Sequence, residues 1–132
     1  DADRYWAILQ AWGDDGLRAY RAHFPYDFAH LFIYALFGRV LATRAGLFAP
    51  DEARAARCSA WLLPVAALFD LAENLSWQGS LIYQDEPDTG RKLMDEAIRI
   101  IEVLVKAYPM NEQFATQRDT WITLRKKMEP SP

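Results

Sequence analysis

Two long apolar stretches constrain the fold of this chain more than any other feature of its sequence. They span residues 24–42 and 59–83, and each approaches the roughly 20 residues that a bilayer-spanning helix needs. Polar and charged side chains interrupt both, Asp27, His30 and Arg39 in the first and Asp70 and Glu73 in the second. A charge at the bilayer centre costs about 2.5 to 3.5 kcal/mol on insertion scales. The stretches therefore predict either two deeply buried helices of a soluble bundle or a membrane-embedded hairpin.

The spacing of apolar residues favours helices along the whole chain. They recur at steps of three and four in every long segment, and no stretch alternates as a strand does. Gly13 predicts the end of a short first helix, while Pro25 and Pro50 each suit the first turn of a later one. Pro64 lies inside the second apolar stretch, where it predicts a kink or a helix start.

The C-terminal third has the pattern of two amphipathic helices. The acidic, turn-rich segment 84–90 predicts a loop, and residues 91–108 carry one apolar and one charged face. Pro109 ends that helix, and Asn111 can cap the last one. The sequence therefore predicts one domain over residues 1–132, an all-α helical bundle of four main helices plus a short N-terminal helix.

The composition excludes one class of partner and leaves the compartment open. The net charge of −3 argues against nucleic acid, which requires a basic face. Cys58 is the one cysteine, so no internal disulfide can form. No glycine-rich phosphate loop or other cofactor motif is present, so we predict no cofactor. The chain begins at Asp1, which is compatible with a removed leader, and the sequence gives no compartment.

Charge is distributed unevenly around the two apolar stretches. Arg44, Arg54 and Arg57 lie in the connection between them, whereas acidic residues lie on the far sides, at 14–15 and 85–88. Positively charged connections are typical of the cytoplasmic loops of membrane proteins. For the membrane interpretation, this distribution predicts a hairpin with its connection in the cytoplasm.

Two motifs carry a resemblance to a known family. Residues 11–37 contain G-x-x-G-x-x-x-Y before an apolar helix with an Asp, and residues 62–75 contain L-F-D-x-x-E-N. The matching residues are Gly13, Gly16, Tyr20, Asp27, Tyr34, Asp70, Glu73 and Asn74. In these segments the chain resembles an uncharacterised family of small bacterial four-helix membrane proteins. The resemblance implies a membrane-associated bacterial protein, and it implies no activity.

Polar side chains fall on one face of each apolar stretch. Around the first stretch, the polar residues follow each other at helical spacing of three or four: His23, Asp27, His30 and Tyr34. In the second stretch, the corresponding residues are Asp70, Glu73, Asn74 and Trp77. If the two helices pack antiparallel, both sets converge. The candidate polar cluster consists of His23, Asp27, His30, Asp70, Glu73 and Asn74.

Three interpretations of this cluster are open. In a structural one, Asp27 favours a helix start, and the other carboxylates meet arginines or face water. In a second, carboxylates and histidines bind a metal ion, as in helical-bundle metal sites. In a third, Asp70 or Glu73 is a general acid or base in an apolar pocket.

The two central carboxylates carry a specific expectation. A buried, unpaired carboxylate costs several kcal/mol, so we expect at least one of Asp70 and Glu73 to be mostly buried and paired with a basic group or a hydroxyl. The candidate partners from the earlier helices are Arg18, Arg21, Arg39, His23 and His30.

The leading functional hypothesis is an interaction or structural protein. Aromatic residues make up 14% of the chain, including five Trp, and no convincing catalytic set accompanies them. Such a bundle can dock on a protein partner, on a second copy of itself or on a membrane. The alternative is an enzyme, or a binder of a small ligand or metal, that uses a buried Asp, Glu and His cluster.

Overall fold

The structure, a computed structural model, describes residues 2–129, with side chains from residue 7 onward except Leu9. This described part is 86% helical and contains no strand. Its helices are α1 (Ala2–Arg21), α2 (Phe24–Arg44), α3 (Ala53–Ile82), α4 (Pro87–Ala107) and α5 (Glu112–Lys127). A short 3-10 turn, Pro50–Glu52, precedes α3. The predicted all-α bundle, with four main helices after an N-terminal one, is confirmed.

Glycine and proline set several helix boundaries as predicted. Gly13 has φ 62° and ψ −176°, a positive-φ conformation that other residues rarely adopt, and it divides α1 into two pieces. Gly46 has φ 66° and follows the end of α2 at Arg44. Pro25 lies in the first turn of α2, and the Asn111 side chain caps α5 by accepting from two backbone amides.

The structure differs from the prediction at Pro64 and at Pro87. α3 continues without interruption through Pro64, so the predicted helix start there is wrong. Because proline has no backbone N–H, the Ala60 carbonyl lacks its usual helical hydrogen bond. The backbone stays helical because α3 packs against both α2 and α4. α4 begins at Pro87 instead of residue 91, because a first turn has no use for the N–H that proline lacks. The predicted loop therefore shrinks to residues 83–86.

α3 is the central helix of the bundle, with its largest contacts to α2 and to α4. α2 runs antiparallel to it. The Tyr34 hydroxyl of α2 donates to the Asp70 carboxylate of α3. About three turns further along α3, the Leu81 carbonyl accepts a hydrogen bond at 2.6 Å from Arg21, which ends α1 just before α2 begins.

α4 approaches α3 closely at a pair of glycines. A Cβ added at Gly90 would lie 2.6 Å from the Gly79 carbonyl oxygen, so only glycine permits this approach of the two backbones. α5 then returns along α4, and the ion pair of Arg125 with Asp95, at 2.6 Å, joins these two helices.

The main hydrophobic core lies between the C-terminal half of α3, α4 and α5. Its buried members are Phe69, Ala72, Met94, Ala97, Ile100, Ile101, Leu104, Phe114, Trp121 and Met128. Tyr83 donates its hydroxyl to the Met128 carbonyl at 2.6 Å, which closes one end of this core. We call α4, α5 and residues 65–82 of α3 the packed unit.

A second, smaller cluster attaches α1 to the bundle. Buried Phe24 and Leu81 pack there against Leu17, Tyr20 and Phe28. The rings of Tyr20 and Phe24 meet edge to face with centroids 5.4 Å apart, a favourable aromatic geometry.

Candidate functional site

The outward side of α2 departs most from an ordinary surface helix in water. Only Phe24, Leu31 and Gly38 of its 21 residues are buried. The exposed large apolar residues of α2, of the following loop and of the start of α3 are Tyr26, Phe32, Ile33, Leu36, Phe37, Val40, Leu41, Leu47, Trp61, Leu62 and Leu63. We call this set the outer face. Phe32 is 77% exposed, so large apolar groups lie at the surface instead of in a core.

The outer face covers about half of the circumference of α2. Phe24, Leu31 and Gly38 are spaced seven apart and form one stripe against α3. With about 100° per residue, the exposed arc from Phe32 to Leu41 covers roughly 180°. Besides Tyr26, the exposed polar residues of α2 are His30, Arg39, Thr43 and the terminal Arg44. A surface helix in water carries polar residues opposite its buried stripe, so α2 has the composition of a helix with a second apolar environment.

The side of the bundle opposite α2 is charged along the same segment of α3. α2 meets α3 at Asp70, and Ile100 of α4 packs in the same core as Ala72, so α2 and α4 flank one segment of α3. The exposed residues of α4 include Asp95, Arg99, Glu102 and Lys106. The bundle therefore has an apolar side at α2 and a charged side at α4.

Within the described residues, one helical stretch is long and apolar enough to cross a membrane by length and composition. This stretch is Pro50–Ile82, and 22% of its apolar window is buried. The core helix of a water-soluble protein meets the same criterion but is mostly buried. The low burial belongs to this apolar window, whereas the C-terminal half of α3 contributes to the main core.

The polar cluster lies along the seam between α2 and α3, beside the outer face. The Tyr34 hydroxyl donates to the Asp70 carboxylate, so the expected pairing of one carboxylate with a hydroxyl is confirmed. Asp70 and Glu73 are both partly buried, so neither lies free in water, as expected, and neither is fully enclosed. We call Tyr34, Asp70 and Glu73, together with His30, the polar seam. It lies at the surface between the two helices.

Protonation in the polar seam is shifted toward the neutral forms. Burial, and then the neighbouring Asp70 carboxylate, raise the pKa of Glu73 above its usual value. Burial also raises the pKa of Tyr34, and its hydrogen bond to Asp70 raises it further. Tyr34 therefore stays a donor at neutral pH, with Asp70 as its acceptor.

His23 and Asp27 pair with each other instead of with α3. The His23 Nε2 lies 2.9 Å from the Asp27 Oδ1, one turn along the start of α2. Burial, and then the Asp27 carboxylate, raise the pKa of the nearby Tyr20 hydroxyl. An acidic residue in a first turn suits the helix dipole, so the structural interpretation accounts for Asp27.

The remaining predicted residues form no ligand set. His30 is exposed, with its ring centroid 5.4 Å from that of Tyr34, and Asn74 is half-buried. Over the described residues, no group of three or more His, Cys, Asp or Glu side chains is placed to hold a metal ion. The geometry of the described residues therefore does not support the metal interpretation.

The arginines expected to meet the two seam carboxylates bind elsewhere, so these predicted pairings are wrong. Arg18 pairs with Asp15 at 3.1 Å, Arg21 pairs with Asp85 at 2.8 Å, and the Arg39 guanidinium lies over Trp61, 4.9 Å from the ring centroid. Arg39 follows Tyr34 by five residues, which places it more than one turn away and on another side of α2.

Sequence reasoning misses the outer face as a surface. The available signal is that residues 24–42 are apolar on all sides, which implies apolar surroundings on all sides. Those surroundings depend on how many helices pack around α2, and one chain's spacing does not show this. It also misses Tyr34 as the partner of Asp70, although Tyr34 continues the same helical series as His30.

The fold and the site together define a class, an all-α bundle with one apolar exposed side and a polar seam beside it. No protein-family model, no curated protein and no solved structure matches this chain. The functional argument therefore rests on the geometry of the outer face.

Proposed function

We propose that this chain is a helical interaction protein that docks on a lipid bilayer through its outer face. The observation that carries the proposal is the arc of exposed apolar side chains on α2, in a molecule whose other side is packed and charged. Full burial of one Leu or Phe side chain contributes about 1.5 to 3 kcal/mol. Partial burial of several such residues is therefore sufficient for membrane association.

The proposed docking is shallow and does not cross the bilayer. Along α2, from Tyr26 to Leu41, the outer face extends over roughly 22 Å, at about 1.5 Å per residue, which is less than the roughly 30 Å of the hydrocarbon core. α4 flanks the same segment of α3 with exposed charges, and each charge at the bilayer centre costs about 2.5 to 3.5 kcal/mol. α2 therefore lies in the interface plane, with its buried stripe on α3 and its outer face toward the lipid.

The borders of the outer face suit a boundary between water and lipid. Tyr26 at one end is 76% exposed and Trp61 at the other is 57% exposed, and both residue types are enriched at membrane interfaces. Arg39 lies over the Trp61 ring, where its long stem can keep the charged group at the headgroups. The resemblance to small bacterial membrane proteins supports a membrane location for the chain.

A lipid surface accounts for the breadth of the outer face better than a second copy of the chain. A helix that packs on one protein layer uses an apolar stripe of about 100°, whereas α2 already uses one such stripe on α3. Its second apolar arc, roughly 180° wide at about 100° per residue, exceeds what one partner helix covers. A bilayer surface can contact the whole arc.

Two valines allow a matched test. Val40 on the outer face is 48% exposed, and Val103 on α4 is 55% exposed. We expect the wild-type chain to float with phosphatidylcholine vesicles in a density gradient. Val40→Asp loses the apolar transfer of its exposed half and places a charge against the lipid, so its binding is expected to weaken by about tenfold. Val103→Asp is expected to bind as the wild type does.

Each alternative gives a distinct result in the same experiment. A wild-type chain that stays in the aqueous fraction contradicts the proposal, as does equal binding of the two Asp variants. Light scattering without vesicles measures the oligomeric state. A dimer that Val40→Asp dissociates, from a chain without vesicle binding, assigns the outer face to a second copy instead. Circular dichroism checks that both variants remain helical.

A further inference from the structure

The hairpin tip, residues 39–57, carries a net positive charge on an acidic protein. Its charged residues are Arg39, Arg44, Asp51, Glu52, Arg54 and Arg57, which together give +2. The whole chain has a charge of −3, which leaves −5 on the remaining residues. The basic end of the molecule therefore adjoins the outer face.

The tip arginines differ from the other arginines in their partners. Among the residues with described side chains, every arginine outside the tip pairs with a carboxylate: Arg18, Arg21, Arg91, Arg99, Arg118 and Arg125. Within the same residues, Arg44, Arg54 and Arg57 form no ion pair, and all three are exposed. Glu52 instead accepts a hydrogen bond from the Ala49 amide at 2.8 Å. The tip guanidinium groups can therefore bind an external anion.

Helix chemistry explains only one of these three arginines. Arg44 lies in the last turn of α2, where a cation suits the helix dipole. Arg54 and Arg57 lie in the first two turns of α3, at the positive end of the dipole, where basic residues are unfavourable. A local preference that is violated without a structural gain is typical of functional residues.

An apolar apex lies between these arginines. Residues 45–49 contain no charged side chain, and Gly46 turns the chain with a φ of 66°. Leu47 at this apex is 61% exposed. An exposed leucine between arginines suits a surface that is apolar below and anionic above.

We infer that the hairpin tip binds the phosphate groups of anionic phospholipids, with Arg54 and Arg57 as the main contacts and Leu47 inserted between headgroups. This inference rests on the proposed function and deepens it by naming the lipid class and the end of the outer face that recognises it. A guanidinium group matches phosphate in bidentate geometry. Each basic residue near an anionic leaflet raises binding by about fivefold.

The test compares phosphatidylcholine vesicles with and without phosphatidylglycerol. The wild-type chain is expected to bind the mixed vesicles more tightly, with the difference decreasing as salt rises. The double variant Arg54→Gln/Arg57→Gln is expected to bind the mixed vesicles about 30-fold more weakly and to bind phosphatidylcholine as the wild type does. Arg18→Gln/Lys92→Gln carries the same change in charge away from the tip and is expected to keep the preference.

The outcomes separate this inference from the proposed function. Equal wild-type binding to both vesicles, or equal losses in both double variants, overturns the inference and leaves membrane docking intact. Absence of binding to either vesicle overturns both. Inorganic phosphate alone, titrated into the protein, is expected to give no saturable binding. Saturable phosphate binding that Arg54→Gln/Arg57→Gln abolishes would replace the lipid headgroup by a free anion. Circular dichroism confirms that the double variants are folded.

Discussion

The packed unit and the outer face use the same kinds of residue in opposite surroundings. Trp121 in the packed unit is 2% exposed, whereas Trp61 on the outer face is 57% exposed. Trp121 lies among the buried residues of the main core. Trp61 has the Arg39 guanidinium over its ring. Residue type alone therefore does not decide which apolar side chains this fold buries.

The number of neighbouring helices decides it. The C-terminal half of α3 packs against α2 and contributes to a core with α4 and α5. α2 has its large contact with α3 alone, and its far side is open. A helix that is apolar on all sides is stabilised by apolar contacts on all sides. On the outward side of α2 the described part of the protein provides none, so these contacts have to come from outside the bundle. The outer face is the part of the fold that this bundle leaves incomplete.

Replacing the two tryptophans by alanine gives the largest expected difference between the regions. Loss of a buried Trp side chain costs about 3 to 5 kcal/mol, so Trp121→Ala is expected to lower the free energy of unfolding by that amount. Trp61→Ala removes an exposed ring and a cation–π contact worth about 0.5 to 1 kcal/mol. We expect a loss of about 1 kcal/mol or less, measured for both variants by urea denaturation.

Membrane binding is expected to reverse the order of these two variants. Trp61→Ala removes a residue of the outer face and should weaken vesicle binding, whereas Trp121→Ala should not, under conditions where it remains folded. Equal losses of stability would contradict the comparison, because they would mean that Trp61 also has apolar protein neighbours.

Two glycines at helix contacts give the next largest difference. A Cβ at Gly90 would lie 2.6 Å from the Gly79 carbonyl oxygen, and α4 cannot retreat because α5 packs against it. Overpacking of this kind costs about 1 to 3 kcal/mol. A Cβ at Gly38 would lie 2.7 Å from the Leu63 Cβ, but the large contact of α2 is with α3 alone, so we expect α2 to move outward. Alanine also favours a helix by roughly 1 kcal/mol over glycine, so we expect Gly38→Ala to cost less than Gly90→Ala in urea denaturation.

A second variant tests the cause of the smaller effect. Gly38→Ala/Leu63→Ala removes the side chain that the new methyl group would meet, so it should recover most of any stability that Gly38→Ala loses. If Gly38→Ala proves as costly as Gly90→Ala, then α2 is held as firmly as α4, and the free outer side of α2 gives it no room to move.

Local chemistry made the helices predictable, and tertiary packing set the limits of that prediction. Gly13 and Asn111 act within one or two turns, so their positions in the sequence were sufficient to place a helix break and a helix cap. Pro64 also acts locally, but α2 and α4 on both sides of α3 override it. Spacing also showed that the two polar faces would converge if the helices packed antiparallel, which is the packing that brings Tyr34 to Asp70.

The state of the polar seam was less predictable than its position. Helical spacing places Asp70 and Glu73 on a shared face, but it does not show whether a third helix covers that face. The seam stays half-open because α4 packs elsewhere on α3. The long arginine side chains contact groups that are near in space but distant in sequence, as Arg21 does with Asp85. Helical spacing within one segment cannot show such contacts.

The smallest expected effects concern two glutamates whose pKa values move in opposite directions. Burial and the Asp70 carboxylate raise the pKa of Glu73 above the ordinary 4.5. The folded state thus holds the Glu73 proton more tightly than the unfolded chain does, and its stabilising contribution is lost as pH rises from 4.5 through the raised value. Because Glu73 is only half-buried, Glu73→Gln is expected to stabilise the fold by less than about 1 kcal/mol at neutral pH.

Glu96 on the charged side of α4 provides the opposite sign. The hydrogen bond from Arg99 lowers the pKa of Glu96, so this carboxylate stabilises the fold above 4.5 and the contribution disappears as pH falls through the lowered value. Glu96→Gln should therefore lose stability at neutral pH, where Glu73→Gln gains it, and both variants should approach the wild type in acid. Urea denaturation over a pH series measures both. If Glu73→Gln instead lowers the free energy of unfolding at neutral pH, the ionised Glu73 carboxylate has a favourable partner in the polar seam. The seam would then stabilise the fold through a charged interaction, and would not be merely a border of the outer face.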